Sequence, residues 1–286
     1  MIAFWAMESD FGENTGGFLA VDTLATLAHE GRRRSFFRNE LFCALSILDD
    51  GYIDQDEMKS SWAGAMGQPQ FMPSTFFYYA ADGDGDDKED IWNNTADVLA
   101  SAANYLHSIG WKSGRNWGLE IKLPKNFDPY QARFSEEKSL KKWRALGLKQ
   151  ADRKELPKGT ETGSVIIPSG INGPAFLVFH NFRMIREWNK SMNYALAVGI
   201  LSDRISGKGK LVGKAPKGEK NLQRSEAVEL QNNLKKLGFY SDKADGMLGV
   251  KSRDAIREYQ KAKGKPADAY PSSALMLQIK KDAMNR

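Results

Sequence analysis

The sequence predicts a mainly α-helical α+β protein: a large N-terminal domain holding a small mixed subdomain, a linker, and a three-helix unit at the C terminus. Three observations carry this. Amphipathic runs at helical spacing dominate the first 110 residues and return from 176 to 204. Between Glu120 and Pro168 the pattern shortens to alternation, and Leu119-Glu-Ile-Lys-Leu123 and Ser164-Val-Ile-Ile167 read as strands around a helical 141–147. Ser206 to Lys220 is rich in Gly and Lys with little apolar content, as linkers are, and three helical segments follow it. The boundaries read as 1–206, 207–220 and 221–286.

Composition excludes several classes. Of 286 residues, 41 are basic and 36 acidic, a net +5 that is too mild for a nucleic-acid surface without a dense basic stripe. The single cysteine, Cys43, rules out an internal disulfide framework, and its apolar run Leu41–Leu48 marks a buried structural thiol. No run approaches the roughly 18 apolar residues of a membrane span. The opening Met-Ile-Ala-Phe-Trp lacks the basic and cleavage regions of a signal peptide.

Met1 to Phe11 is expected to be a helix stopped by Gly12. Glu8 lies three and four residues after Trp5 and Phe4, so it shares their face near the negative end of the helix dipole. Aromatic surroundings and the dipole both disfavour its ionised form. Periodicity alone also fits an ordinary surface glutamate. Asp22 to Ala28 is a second helix with Asp22 as N-cap, and 35–49 a third, strongly amphipathic one. Between them, Arg32 to Arg34 form either a solvated turn or a site for substrate carboxylates.

The stretch from Ser61 to Trp92 holds the densest information. Gly64, Gly67, Pro69 and Pro73 suit backbone that approaches something closely, and Gln68 and Gln70 supply amide donors and acceptors. This reads as the floor of a groove for an extended polar ligand. Carboxylates then alternate at Asp82, Asp84 and Asp86, with Asp90 four residues on. That is an EF-hand-like count in which Lys88 would donate its carbonyl. Asp87 stands where such loops have Gly, and Asn93 where they have a bidentate Glu, so calcium should bind less tightly unless Asp97 closes the shell. A solvated acidic turn is the alternative. Helices are expected from Pro73, from Asn94 to Ile109, and from 194 to 204, with a strand-to-helix passage at 176–189.

Ser61-Trp-Ala-Gly-Ala-Met-Gly-Gln-Pro-Gln-Phe-Met-Pro-Ser74, followed by the acidic loop, closely resembles the membrane-bound lytic murein transglycosylase B family. Glu8-Ser-Asp-Phe-Gly12, Phe179-His-Asn-Phe-Arg183, Trp188-Asn189 and Tyr194–Val198 resemble further parts of its lysozyme-like catalytic domain. The elements at Leu230, Gly238, Asp245-Gly-Met-Leu-Gly249 and Ala255 resemble the three-helix peptidoglycan-binding module. The resemblance implies Glu8 as the sole catalytic acid and base. It implies glycan contacts at His29, where such enzymes often carry an aromatic, and at Ser61, Gln70, Phe71, Asn104, Tyr105, Trp188, Asn189 and Tyr194. It also implies a modified calcium loop using Asp82, Asp84, Asp86, Lys88 and Asp97, with no cofactor for catalysis.

The activity so implied is non-hydrolytic cleavage of the β-1,4 bond between N-acetylmuramic acid and N-acetylglucosamine, leaving a 1,6-anhydromuramoyl end. Implied partners are peptidoglycan glycan strands and wall-synthesis proteins, not nucleic acid. The implied compartment is periplasmic or the cell wall, and on that reading a chain without a signal sequence starts late. Two rivals stand. A lysozyme-like muramidase would need a second carboxylate, for which Asp10, Glu13 and Asp22 are available. An inactive wall-binding scaffold would need none.

Overall fold

The computed structural model describes residues 1–30, 33–218 and 222–286. It divides into two compact units, one of residues 1–115 with 183–209 and one of residues 116–182 with 210–286.

The first unit contains α1 (Ile2–Ser9), β1 (Phe18–Leu19), α2 (Ala20–Glu30), α3 (Arg34–Asp49), β2 (Lys59–Ser60), α4 (Pro73–Tyr79) and α5 (Thr95–Ser108). Helix α1 ends earlier than Gly12, at Asp10, which takes left-handed backbone as its C-cap. Helix α2 begins at Ala20 rather than after an Asp22 cap. β1 pairs antiparallel with β2 (Phe18 opposite Ser60) and runs straight into the helix, where the Ala20 amide bonds the Met58 carbonyl at 3.0 Å. Two-residue strands carry no periodicity, so this pair was invisible to pattern reading.

Leu24, Ala44, Ile47, Met58, Met66 and Ile91 are fully buried in the core that α2, α3 and the 58–92 segment share. Buried Glu40 of α3 caps α4, one carboxylate oxygen taking the Ser74 amide (2.9 Å) and the other its hydroxyl (2.8 Å). Pro73 at the first turn of α4 and Asn94 as the N-cap of α5 match expectation.

The second unit holds a five-stranded antiparallel sheet, ordered β4-β6-β7-β3-β5 from β3 (Gly118–Lys122), β4 (Glu137–Ser139), β5 (Lys149–Gln150), β6 (Thr162–Ile166) and β7 (Ala175–Val178). Helix α6 (Leu140–Ala145) packs on it through Trp143, fully buried with its indole N–H on the Gly163 carbonyl at 2.8 Å. Helix α7 (His180–Trp188) follows β7 directly and α8 (Met192–Ile205) follows α7; both return the chain to the first unit.

The three C-terminal helices are α9 (Arg224–Lys236), α10 (Val250–Ala262) and α11 (Ser273–Met284), closed on Leu230, Leu234, Ile256, Tyr259 and Ile279. Buried Gln231 is their polar centre. Its carbonyl takes the Gly246 amide (2.8 Å), and its amide reaches Ser252 Oγ (2.9 Å) and the Met247 carbonyl (3.1 Å).

The expected linker is fastened in part. Glu120 of β3 accepts the Val212 and Gly213 amides at 2.8 and 2.6 Å. Residues 219–221, where the expected linker meets the module, lie outside the described residues. The module also bonds the sheet subdomain: Arg257 donates to the Ala132 carbonyl (3.1 Å), Tyr130 donates to Glu258 (2.8 Å), and Asp268 accepts the Ile171 amide (3.0 Å). Compactness therefore groups the sheet with the C-terminal helices.

Candidate active site

Helix α1 presents Glu8 one residue before its end. Both hydrogen bonds to its carboxylate fall on Oε1, from the Trp188 indole at 2.8 Å and from the Tyr194 hydroxyl. α7 supplies the first donor and α8 the second. Burial pushes the Glu8 carboxyl above its usual range, and the Tyr194 and Trp188 bonds oppose that in part by favouring the anion. Burial, and then the neighbouring Glu8 charge, hold the Tyr194 phenol well above its ordinary value, so it stays a donor. With two donors on Oε1, Oε2 is left to carry the proton of an uncharged acid.

Aromatic rings fix this arrangement. Trp188 lies 4.6 Å from Phe4, 5.6 Å from Phe71 and 4.9 Å from Tyr105, the last edge-on, and Tyr105 in turn meets Tyr79 at 4.9 Å. Phe71, expected as a glycan contact, is only 3% exposed; it packs against Trp188 and Tyr105 rather than offering a face of its own. Trp188, Tyr194, Tyr105 and Asn189 are half-buried.

The other expected residues take mixed parts. Ser61 Oγ accepts the Ala63 and Ala65 amides at 3.4 and 3.2 Å, holding the start of the floor while keeping its own proton to give. Gln70 spends its amide hydrogens on the Thr15 and Gly67 carbonyls, so what it still offers is an acceptor oxygen, whereas Asn104 donates once, to the Tyr79 carbonyl at 3.2 Å. Asn189 accepts the Ser191 amide at 3.0 Å. His29 is exposed in the last turn of α2. Of the arginines, Arg33 stacks over Phe36 at 3.9 Å, Arg34 is exposed at the start of α3, and Arg32 lies outside the described residues.

The glycines of the floor approach the protein's own core: a Cβ at Gly64 would meet Leu24 at 2.4 Å, and one at Gly67 would meet Ile91 at 2.8 Å. Trp117 is core of the second unit against Phe176 and Phe182. Cys43 is half-buried, and burial, then Glu40, push its thiol up, which suits an inert residue.

Two supports have parts that sequence reasoning did not specify. Gln68 takes the Trp5 indole N–H on its Oε1 (2.8 Å) and gives its amide to the Trp92 carbonyl (2.8 Å), tying α1 to the floor. Ser9, buried beside Glu8, accepts the Gly12 amide on its hydroxyl (3.1 Å) and the Asn14 amide on its carbonyl (2.8 Å). The adjacency of Ser9 to Glu8 and of Gln68 to the floor glycine Gly67 was the available signal.

In the acidic loop, one carboxylate oxygen each from Asp82, Asp84 and Asp86 gathers within 4.8 Å of the others, a hard-oxygen set that fits a cation such as calcium. Backbone amides of Asp84, Gly85 and Asp87 orient Asp82 and hold its carboxyl below the usual range. Asp97 departs from expectation. Fully buried, it accepts the Gly83 amide on one oxygen (2.8 Å) and the Asp90 amide on the other (2.7 Å), so it staples the loop to α5 instead of joining the three converging acids. Lys88 donates its amide to Asp86 at 3.0 Å, and no bond of its carbonyl bears on the ligand role expected of it.

The family model for the transglycosylase SLT domain matches residues 1–203, and a model for a peptidoglycan binding domain matches residues 223–278. The chain belongs to the transglycosylase SLT family, in which a lysozyme-like domain carries the site. Among individual proteins, it is similar to SltB3 from Pseudomonas aeruginosa, whose crystal structures hold NAG-anhNAM-pentapeptide and NAG-NAM-pentapeptide. The identity is 45% and the TM-score 0.93, over 97% of this chain and 75% of that one. Membrane-bound lytic murein transglycosylase B of Escherichia coli K12 is 29% identical over 212 residues, 72% of this chain. The chain spans 56% of that curated relative's length. The Escherichia coli lytic transglycosylase Slt35, solved in complex with calcium, shares 29% identity at a TM-score of 0.62, over 72% of this chain and 64% of that one. Among the described residues, no helix is long and apolar enough to cross a membrane.

Proposed function

We propose that the protein is a peptidoglycan lytic transglycosylase that cleaves the β-1,4 bond between N-acetylmuramic acid and N-acetylglucosamine without water. The observation that carries this is the enclosed Glu8 carboxyl, raised by burial and clasped through one oxygen by Trp188 and Tyr194. Protonated Glu8 gives its proton to the glycosidic oxygen as the C1–O bond breaks. The carboxylate then takes the proton of the muramoyl C6 hydroxyl, whose oxygen closes on C1 to form the 1,6-anhydro ring. One carboxyl serves twice because the nucleophile is already part of the substrate. A phenol that stays protonated steadies the intermediate anion without competing for its proton.

Asp10, Glu13 and Asp22, the candidates for the second carboxylate of a muramidase, are all exposed while Glu8 is half-buried, which favours the single-carboxylate reading. The SltB3 complexes with muramoyl-peptide ligands support a peptidoglycan strand as substrate. That substrate supports a location in the periplasm or at the cell wall, where wall-synthesis proteins are candidate partners and the C-terminal helices would hold the polymer. Asp82, Asp84 and Asp86 would hold a structural calcium, as the Slt35 complex suggests, with the Lys88 carbonyl as a further ligand. The ion would neutralise three gathered carboxylates and fix the loop.

The test is product analysis on purified sacculi. Muropeptides ending in 1,6-anhydromuramic acid are expected, and abolished by Glu8→Gln. Reducing-end muramic acid would identify a hydrolase, and sacculus binding without any product would identify a scaffold.

A further inference from the structure

Phe11 stands three residues after Glu8, on backbone that aromatic residues rarely adopt. Asp10, Phe11 and Gly12 have φ of 51°, 61° and 93° in succession. Asp tolerates the left-handed region and Gly prefers it, whereas a bulky side chain there is an outlier that persists only when its surroundings enforce it. Among the described residues Phe11 is the one aromatic side chain at positive φ.

The strain gains no core packing in return. Phe11 is 48% exposed, and its one ring contact is edge-type with Trp5 at 5.3 Å and 84°. Other exposed aromatics, such as Phe42 on α3 and Tyr78 on α4, sit on ordinary helical backbone.

The surroundings that enforce the turn belong to the groove floor. Gln68 pins Trp5, the residue on which Phe11 leans, and Gln70 holds the Thr15 carbonyl at 3.0 Å. Gly16 closes the loop so tightly against β2 that a Cβ there would fall 2.1 Å from the Ser60 carbonyl oxygen. Ser9 ties off the inside of the turn through the Gly12 and Asn14 amides. The floor thus holds a flat, half-exposed apolar ring three residues along the chain from the acid, on backbone it would not choose.

We propose that Phe11 is a glycan-contact residue, its ring stacking on the apolar face of a pyranose bound next to the bond that Glu8 protonates. Pyranose C–H groups carry slight positive charge and meet the negative face of an aromatic ring, and a ring already fixed in place loses little entropy on binding. The inference rests on the glycan-cleaving reading above.

The test measures affinity for a peptide-free glycan oligosaccharide by calorimetry in the Glu8→Gln background, with melting temperatures alongside. Phe11→Gly and Phe11→Asn both accept positive φ, so neither should melt below its parent, and each should bind about two- to tenfold more weakly. Phe11→Tyr and Phe11→Trp should bind as the parent does, and Phe42→Ala, an exposed aromatic on ordinary backbone, should change nothing. In the catalytically intact protein the loss should appear in KM. Unchanged affinity in the Gly and Asn variants overturns the proposal, as does a Tyr variant that binds as weakly as Asn. The parent serves as control for the underlying reading. If protein with Glu8 intact makes no anhydro product, the proposed function fails; if it does and the Phe11 variants bind normally, only the role of Phe11 fails.

Discussion

The wall that carries Glu8 and the core of the C-terminal helices both bury a polar side chain, to opposite ends. Gln231 sits in a fully matched shell: its carbonyl takes Gly246, and its amide reaches Met247 and Ser252. Glu8 receives two donors on one oxygen, in a place where burial disfavours its charge. A matched network fixes a turn and stabilises it, whereas an acid kept short of solvation stores proton-donating power at the expense of stability. The same chain uses one device for shape and the other for chemistry.

The largest test of that contrast is Glu8→Gln, which should lower kcat by about 10²–10⁴-fold. It should also raise the melting temperature near neutral pH. Folding raises the Glu8 pKa, so its contribution to stability is full below the unfolded carboxylate range and is lost as pH rises through the folded value. The gain should therefore vanish in melts run below about pH 4. A variant that melted lower at pH 7 would show that Glu8 is matched like Gln231.

Gln231→Leu should do the reverse, costing about 2–4 kcal/mol in denaturant unfolding because half-buried Gly246 and buried Ser252 lose partners, with the shape of the pH–rate profile unchanged. Next in size is Tyr194→Phe. The lost hydrogen bond favoured the carboxylate, so the Glu8 pKa should rise further and the alkaline fall of kcat/KM should move to higher pH. Trp188→Phe should shift it the same way by less; movement to lower pH in either would refute the assignment. The smallest effect is expected at the acidic loop, where chelation should lower the melting temperature by a few degrees. Asp86→Asn should blunt that response, and a wild-type melt indifferent to calcium would argue against an ion there.

Much of this was legible in the residues. The three helical segments expected after the linker are there, and α10 starts where Gly249 gives way to an uninterrupted amphipathic run. Glu8 could be placed on a helix face and suspected of a raised pKa. Its two donors could not be derived from local pattern, since they lie 180 and 186 residues away and meet it only through the packing of α7 and α8 on the first unit. Phe71 shows the converse: its motif marked it as part of the groove, but a motif does not say which members face solvent. Asp97 had the right chemistry for a ligand, and the backbone amides of Gly83 and Asp90 claimed it first.

The hold of Glu120 on Val212 and Gly213 bears on how this protein can be cut down for study. A gene shortened after residue 206, where the catalytic region reads as ending, would keep the sheet and discard the segment that Glu120 grips. It would also strand the Ala132 carbonyl and the Ile171 amide that Arg257 and Asp268 satisfy. Such a fragment would expose freshly unpaired groups and the apolar surface beside them, and should be hard to keep in solution. A safer course keeps the C-terminal helices on the chain, so that residues 116–182 retain the groups that satisfy them.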